Sequence, residues 1–78
     1  MSLKLAKLGE AVKSRRKALS LSQETLASLA NCKPLLIHQI EHGKTNPRLE
    51  GLLAILNVLG LQFTLEQGKQ ILEVRVET

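Results

Sequence analysis

The chain has 78 residues, 44% of them hydrophobic, and Phe63 is the only aromatic residue. A chain of this length forms one small domain of marginal stability, and a core without aromatic rings favours packed helices over a β-sandwich. The formal net charge of +4 favours an anionic partner. The sequence shows neither a membrane-spanning stretch nor a signal peptide, and one cysteine excludes an internal disulfide. We therefore expect a cytoplasmic protein without a membrane partner.

The positive charge is concentrated at one end of the chain. Residues 1–20 carry six basic residues against one acid, a net charge of +5. Residues 61–78 carry two basic residues against three acids, a net charge of −1. We expect the two ends to have different roles.

The first predicted helix begins near Leu3 or Leu5 and ends at Ala18, with Ser2 as a candidate N-cap. Apolar residues recur in this segment at near-helical spacing, with lysines and arginines between them. They are Leu5, Leu8, Val12 and Leu19. The spacing predicts a helix that buries its apolar side.

Two short helical patterns joined by a brief turn follow at residues 22–43. Ser22 can accept the first unpaired amides of a second helix. This helix ends near Ala30, because Asn31 enters the left-handed conformation at little cost. A third helix begins at Lys33 or Pro34 and ends at Gly43. The residues expected to face inward are Leu26, Ala30, Cys32, Ile37 and Ile40.

A fourth helix and two strands complete the chain. The helix begins beyond Pro47 and stops at Gly60. Its expected buried stripe is Leu49, Leu52, Leu53, Leu56 and Leu59. Apolar residues then alternate with polar ones in two strands around a turn at residues 67–69. These apolar residues are Leu61, Phe63, Leu65, Leu72, Val74 and Val76.

The strands divide the chain into residues 1–60, a helix-turn-helix domain, and residues 61–78, a dimerisation element. An isolated hairpin is only marginally stable in water, so we expect the strands to use the helical body or a second chain. Pairing within one chain and pairing between two chains both agree with the sequence.

A set of residues with specific spacing resembles one family. It comprises residues 8–12 with Arg16, residues 21–27, Ile37, residues 40–44 and residues 46–47. On these residues the chain, from about 8 to 60, resembles the lambda-repressor-like, Xre-type helix-turn-helix DNA-binding domains. The resemblance implies a mainly α fold of four, or at most five, helices with C-terminal β-strands. The Leu-Gly-Leu of residues 59–61 and the strand after it resemble, more narrowly, HipB-like antitoxins.

The resemblance also implies roles for single residues. Gln23 would bind a DNA phosphate at the start of the second helix, where oriented amides favour an anion. The third helix would enter the major groove and contact base edges. Its contact residues would be Lys33, Pro34, Leu35, His38 and Gln39. Lys44 and Asn46 would hold the phosphate backbone, and Arg16 would form a structural ion pair with Glu41.

Leu35 and Leu36 differ from the small or polar residues usual at these positions in the family. One of the two leucines is therefore expected to be exposed. It would either contact a thymine methyl group or dock a protein partner, and we take the thymine contact as our hypothesis.

No catalytic or metal site is expected. His38 to His42 match H-x-x-E-H, but Gly43 ends the helix at once and Glu41 has a structural role available. Cys32 is expected to act as a small apolar residue. No catalytic triad or phosphate-binding glycine loop can be assembled, so we expect a non-enzyme without cofactors.

These features together predict a homodimeric repressor that binds double-stranded DNA at an inverted-repeat operator. The resemblance implies a bacterial cytoplasmic protein, located at the nucleoid when bound, that neutralises a HipA-like kinase toxin and represses their shared operon. Two alternatives stay open: a stand-alone phage-type or controller repressor, and a module whose main partner is a toxin or enzyme.

Overall fold

The computed structural model describes the backbone of residues 3–66 and 71–76 and the side chains of residues 5–62. These residues form four helices followed by two strands, which confirms the predicted mainly α architecture. The elements are α1 (Leu3–Ala18), α2 (Gln23–Ala30), α3 (Pro34–Glu41), α4 (Leu49–Val58), β1 (Leu61–Glu66) and β2 (Ile71–Val76). The candidate N-cap Ser2 and the predicted turn at residues 67–69 lie outside the described residues.

A residue in the left-handed conformation follows the end of each helix within two positions. Asn31, Gly43 and Gly60 have φ values of 57°, 64° and 67°, as their positions in the sequence predicted. Ser20 ends α1 in the same way, with a φ of 59°, which the sequence analysis did not anticipate. The amide of the next residue donates back into the last turn of α1, α2 and α3, for example from Lys44 to the Gln39 carbonyl at 2.9 Å. Local chain chemistry therefore fixes where the helices stop.

One apolar core joins all four helices to the first strand. Its buried residues are Leu8, Val12, Leu26, Ala27, Ile37, Ile40, Leu52, Ile55, Leu56, Leu59 and Leu61. Ala30 and Cys32 are half-buried and pack against this core, so the predicted inward face of the helix-turn-helix is confirmed.

Three residues expected in the core are exposed instead. Leu49 is 58% and Leu53 45% exposed, whereas Ile55, which the predicted stripe omitted, is fully buried. Successive residues of a helix turn by about 100°, so Leu53 points away from the face that Leu52 and Leu56 bury. Leu19 is 40% exposed because α1 has already ended at Ala18. Both helices form as predicted, but the predicted stripe of α4 included two exposed leucines and omitted the buried Ile55.

The two strands pair antiparallel with each other. Their register runs from Leu61 opposite Val76 to Glu66 opposite Ile71. One chain can thus pair its own two strands, and pairing with a second chain stays a prediction. The buried Leu61 ties β1 to the helical core. The other side chains predicted to mediate dimerisation lie outside the described side chains, and the dimerisation role of the whole set stays a prediction.

Candidate nucleic-acid interface

The interface begins at the N-terminus of α2, which Ser22 caps. Ser22 is extended (φ −78°, ψ 164°), and its hydroxyl oxygen accepts the Thr25 amide hydrogen at 3.0 Å. The cap fixes Gln23 as the first residue of α2, as predicted.

A buried ion pair connects α1 to the end of α3, as the family resemblance implied. Arg16 donates from Nε to Glu41 Oε2 at 2.6 Å and from Nη2 to Glu41 Oε1 at 2.9 Å. The Arg16 Nη1 group donates to the Leu21 carbonyl at 2.8 Å. The Glu41 side chain is 1% exposed. This two-point geometry positions the planar guanidinium and the carboxylate rigidly against each other.

The same carboxylate also accepts a hydrogen bond from α2. Gln23 donates its side-chain N–H to Glu41 Oε1 at 3.2 Å. Burial raises the pKa of Glu41, but hydrogen bonds from Arg16 and Gln23, with the nearby positive charges, outweigh it and hold that pKa below its ordinary value. The hydrogen bond to Glu41 correspondingly raises the pKa of Arg16. Gln23, predicted to contact phosphate, thus also links α2 to α3.

Gly9 allows α1 and α3 to approach closely. A Cβ atom at this position would overlap the Ile40 carbonyl oxygen and lie 2.8 Å from the Glu41 carbonyl oxygen. Only a residue without a side chain fits at this crossing. Gly9 belonged to the residues that carried the family resemblance, but its contact with α3 was missed; the available signal was a glycine between the apolar Leu8 and Val12 of a helix.

Arg15 has a structural role that the sequence did not predict. Its Nε donates to the Leu59 carbonyl at 2.8 Å, at the C-terminus of α4. A cation near the C-terminus of a helix interacts favourably with the last carbonyls. The two adjacent arginines of α1 therefore each bind another part of the same chain.

The outer face of α3 presents the residues predicted to contact base edges. Lys33, Pro34, Leu35 and His38 are exposed, and Gln39 is half-buried. Lys33 is the N-cap residue and makes no side-chain cap bond. The single acid of α3, Glu41, faces inward on Arg16, so this face carries no unpaired negative charge.

The two leucines of α3 point in different directions. Leu35 is 63% exposed, whereas Leu36 is half-buried and packs against the core. The expectation that one of them would be exposed is confirmed.

The two histidines form a pair along α3. His38 and His42 have ring centroids 4.2 Å apart, and His42 Nδ1 donates to the His38 carbonyl at 2.8 Å. Between them, Glu41 is held by Arg16 and cannot act as a free base. Within the described part of the chain, no three His, Cys, Asp or Glu residues lie close enough to hold a metal ion.

The loop after α3 carries the predicted phosphate contacts. The two predicted contacts, Lys44 and Asn46, are exposed and follow the left-handed Gly43, and the nearby Arg48 is exposed too. The structure thus places polar and basic side chains directly after the end of α3.

Cys32 lies at the turn between α2 and α3. It is half-buried, and burial raises the pKa of its thiol. A protonated, core-packed thiol agrees with the predicted role as a small apolar residue.

A family model described as helix-turn-helix matches residues 12–65, more than half of the chain. The chain belongs to this helix-turn-helix family. An uncharacterized HTH-type transcriptional regulator of Haemophilus influenzae is 42% identical over 59 residues, which cover 76% of this chain but only 59% of that relative.

Two solved structures of restriction-modification controller proteins have the same helix-turn-helix fold. C.AhdI from Aeromonas hydrophila has a TM-score of 0.71 and 33% identity, covering 74% of this chain and 88% of its own. C.Esp1396I, solved as a tetramer in complex with its natural 35 base-pair operator, has a TM-score of 0.71 and 29% identity, covering 76% and 78%. No helix among the described residues is long and apolar enough to span a bilayer.

Proposed function

We propose that this helix-turn-helix regulator is a homodimeric repressor, without enzymatic activity, that binds an inverted-repeat operator in double-stranded DNA. The observation that carries the proposal is the asymmetry of α3. Its inner face is buried and held by Arg16, and its outer face exposes Lys33, Leu35 and His38 with no unpaired acid. A rigid helix with such a face fits the major groove, where side chains donate to base edges.

The surroundings of α3 support binding to the phosphate backbone. Lys44 and Asn46 follow α3, and Gln23 lies at the capped start of α2. Backbone contacts of this kind orient a protein on DNA without reading its sequence. Gln23 can take this role with the second hydrogen of its amide group, since the first is donated to Glu41.

The controller proteins with this fold favour a stand-alone regulator over an antitoxin. One of them was solved as a tetramer on its operator, which supports an oligomeric, operator-binding assembly for this chain. In a twofold dimer, the two α3 helices would occupy half-sites about 34–36 Å apart on one side of the DNA. Pairing with a HipA-like kinase toxin stays a prediction of the narrower resemblance, and a kinase-like gene beside this one would favour it.

The test is a binding-site selection on random double-stranded DNA, followed by affinity measurements at several salt concentrations. We expect an inverted repeat to be enriched, with a dissociation constant of roughly 10⁻⁸ M or lower. Replacing Lys33 with Ala should weaken binding to that site. Lys7→Ala, which removes the same charge from an exposed position on α1, should change binding little.

Two results would contradict the proposal. One is the absence of any enriched sequence, with binding no tighter than that to random DNA. The other is a monomer by light scattering, both free and on the DNA, which would remove the reason to expect an inverted repeat.

A further inference from the structure

We propose that Leu35 reads the 5-methyl group of a thymine in each operator half-site. The inference rests on the proposed DNA-binding function and adds the chemical identity of one base to it. It starts from the 63% exposure of Leu35, in the first turn of α3, beside a leucine that packs against the core.

The side chains one turn along α3 from Leu35 are polar. Residues three and four positions along a helix share one side of it, and here these are His38 and Gln39. Lys33 precedes Leu35 at the N-cap position. A protein-docking surface needs a contiguous apolar patch. Among the described residues, Leu35 is the exposed large hydrophobic residue of α3. The others lie elsewhere: Leu29 on α2, Leu49 and Leu53 on α4, and Leu19 between α1 and α2.

An exposed leucine one turn away from hydrogen-bonding side chains matches the chemistry of the major groove. Thymine alone among the DNA bases presents a methyl group there, beside acceptors and donors of its own and neighbouring pairs. The branched end of Leu35 can contact that methyl group while His38 and Gln39 bond adjacent base edges. Cytosine, which lacks the methyl group, leaves the leucine without its contact.

The size of the effect follows from the area of one methyl group. Burying one such group changes an equilibrium constant by about fourfold, so two symmetric half-sites change it by roughly fifteenfold. Deoxyuridine tests this contact alone, because it differs from thymidine by the methyl group and keeps the same base-pairing atoms.

The experiment uses the operator obtained by binding-site selection with the wild-type protein. Each symmetric pair of thymines is replaced by deoxyuridine in turn, and affinity is measured for wild type and for the Leu35→Ala variant. Leu29→Ala is the matched control, since Leu29 is 60% exposed on α2. Thermal melting confirms that both variants fold.

We expect one pair of thymines at which deoxyuridine weakens wild-type and Leu29→Ala binding by about fifteenfold and leaves Leu35→Ala binding unchanged. A methyl effect that persists in Leu35→Ala would assign the contact to another residue and overturn the inference. The inference would also be overturned if the wild-type protein bound every deoxyuridine-substituted operator with full affinity, and that result would leave the proposed function intact. No specific DNA binding at all would overturn both.

Discussion

The two ends of α3 differ in how firmly the rest of the chain holds them. At the C-terminal end, Glu41 is buried on Arg16 and Gln23, and the backbone touches Gly9. At the N-terminal end, Lys33 and Leu35 are exposed, and Lys33 makes no side-chain cap bond. The helix is thus fixed at one end and presents its free side chains mainly at the other. Substitutions near the C-terminus of this eight-residue helix should therefore change mainly stability, and substitutions near its N-terminus should change mainly DNA recognition.

The largest change in stability is expected when Glu41, at the fixed end of α3, is replaced with Ala. The substitution leaves the Arg16 guanidinium buried without its partner, which typically costs about 3–5 kcal/mol. Most of the stability of a chain this short would be lost. Urea unfolding followed by circular dichroism measures the change, with Glu10→Ala, an exposed acid of α1, as control.

A double variant sharpens this test. Arg16→Met with Glu41→Leu removes both charges together, so it should cost less than Glu41→Ala alone. A cost for Glu41→Ala below about 1 kcal/mol, in the range of a surface ion pair, would show that the pair does not hold α3.

The next test changes the helix crossing by replacing Gly9 with Ala. The added Cβ would overlap the Ile40 carbonyl, so α3 must move, at a cost of typically about 1–3 kcal/mol. Gly51→Ala is the matched control, because a Cβ there meets no atom within 4 Å. That variant should gain up to about 1 kcal/mol from helix propensity. Equal effects of the two substitutions on the unfolding midpoint would contradict the close crossing.

A smaller loss of stability is expected when the pH is lowered. The pKa of Glu41 lies below its ordinary value in the folded chain, so ionisation of Glu41 favours folding at neutral pH. That contribution is fully present above the unfolded-state pKa of about 4.3 and is lost as pH falls through the folded-state pKa. Carbon NMR of the glutamate carboxyl groups should show Glu41 titrating below pH 4.3. Titration of Glu41 at or above that value would contradict the prediction.

The smallest effect on stability is expected at the free end. Lys33→Ala should change the free energy of unfolding by less than about 0.5 kcal/mol, as other surface substitutions do. Its effect on the selected operator should be about 1–3 kcal/mol if Lys33 contacts a base. Lys44→Ala should instead weaken binding to all sequences equally. It should also lower the slope of log K against log salt concentration by about one. A large loss of stability in Lys33→Ala would remove the contrast between the two ends.

Features that depend on local chemistry could be predicted from the sequence. Ser22, Asn31 and Pro34 define helix boundaries through their own hydrogen-bonding or backbone preferences, and each has its expected role. The Arg16 and Glu41 pair came from the family resemblance, and the structure confirms it.

Features that depend on the packing of distant elements could not be predicted in this way. The contact of Gly9 with α3 and that of Arg15 with Leu59 follow only from how α1 crosses other elements. The exposure of Leu53 depends on the rotation of α4, which a run of leucines does not specify. The predicted DNA contacts of Lys33 and Gln39 depend on a partner and stay predictions.

The contacts of the two α1 arginines affect how much positive charge the chain presents to a partner. Arg16 is neutralised by Glu41, so its guanidinium is not free to meet an approaching polyanion, whereas Arg15 donates its Nε–H to the uncharged Leu59 carbonyl and keeps its positive charge. The attraction felt by such a partner comes from fewer cations than the sequence contains. Counter-ion release on binding should therefore be smaller than the formal charge of the first 20 residues suggests.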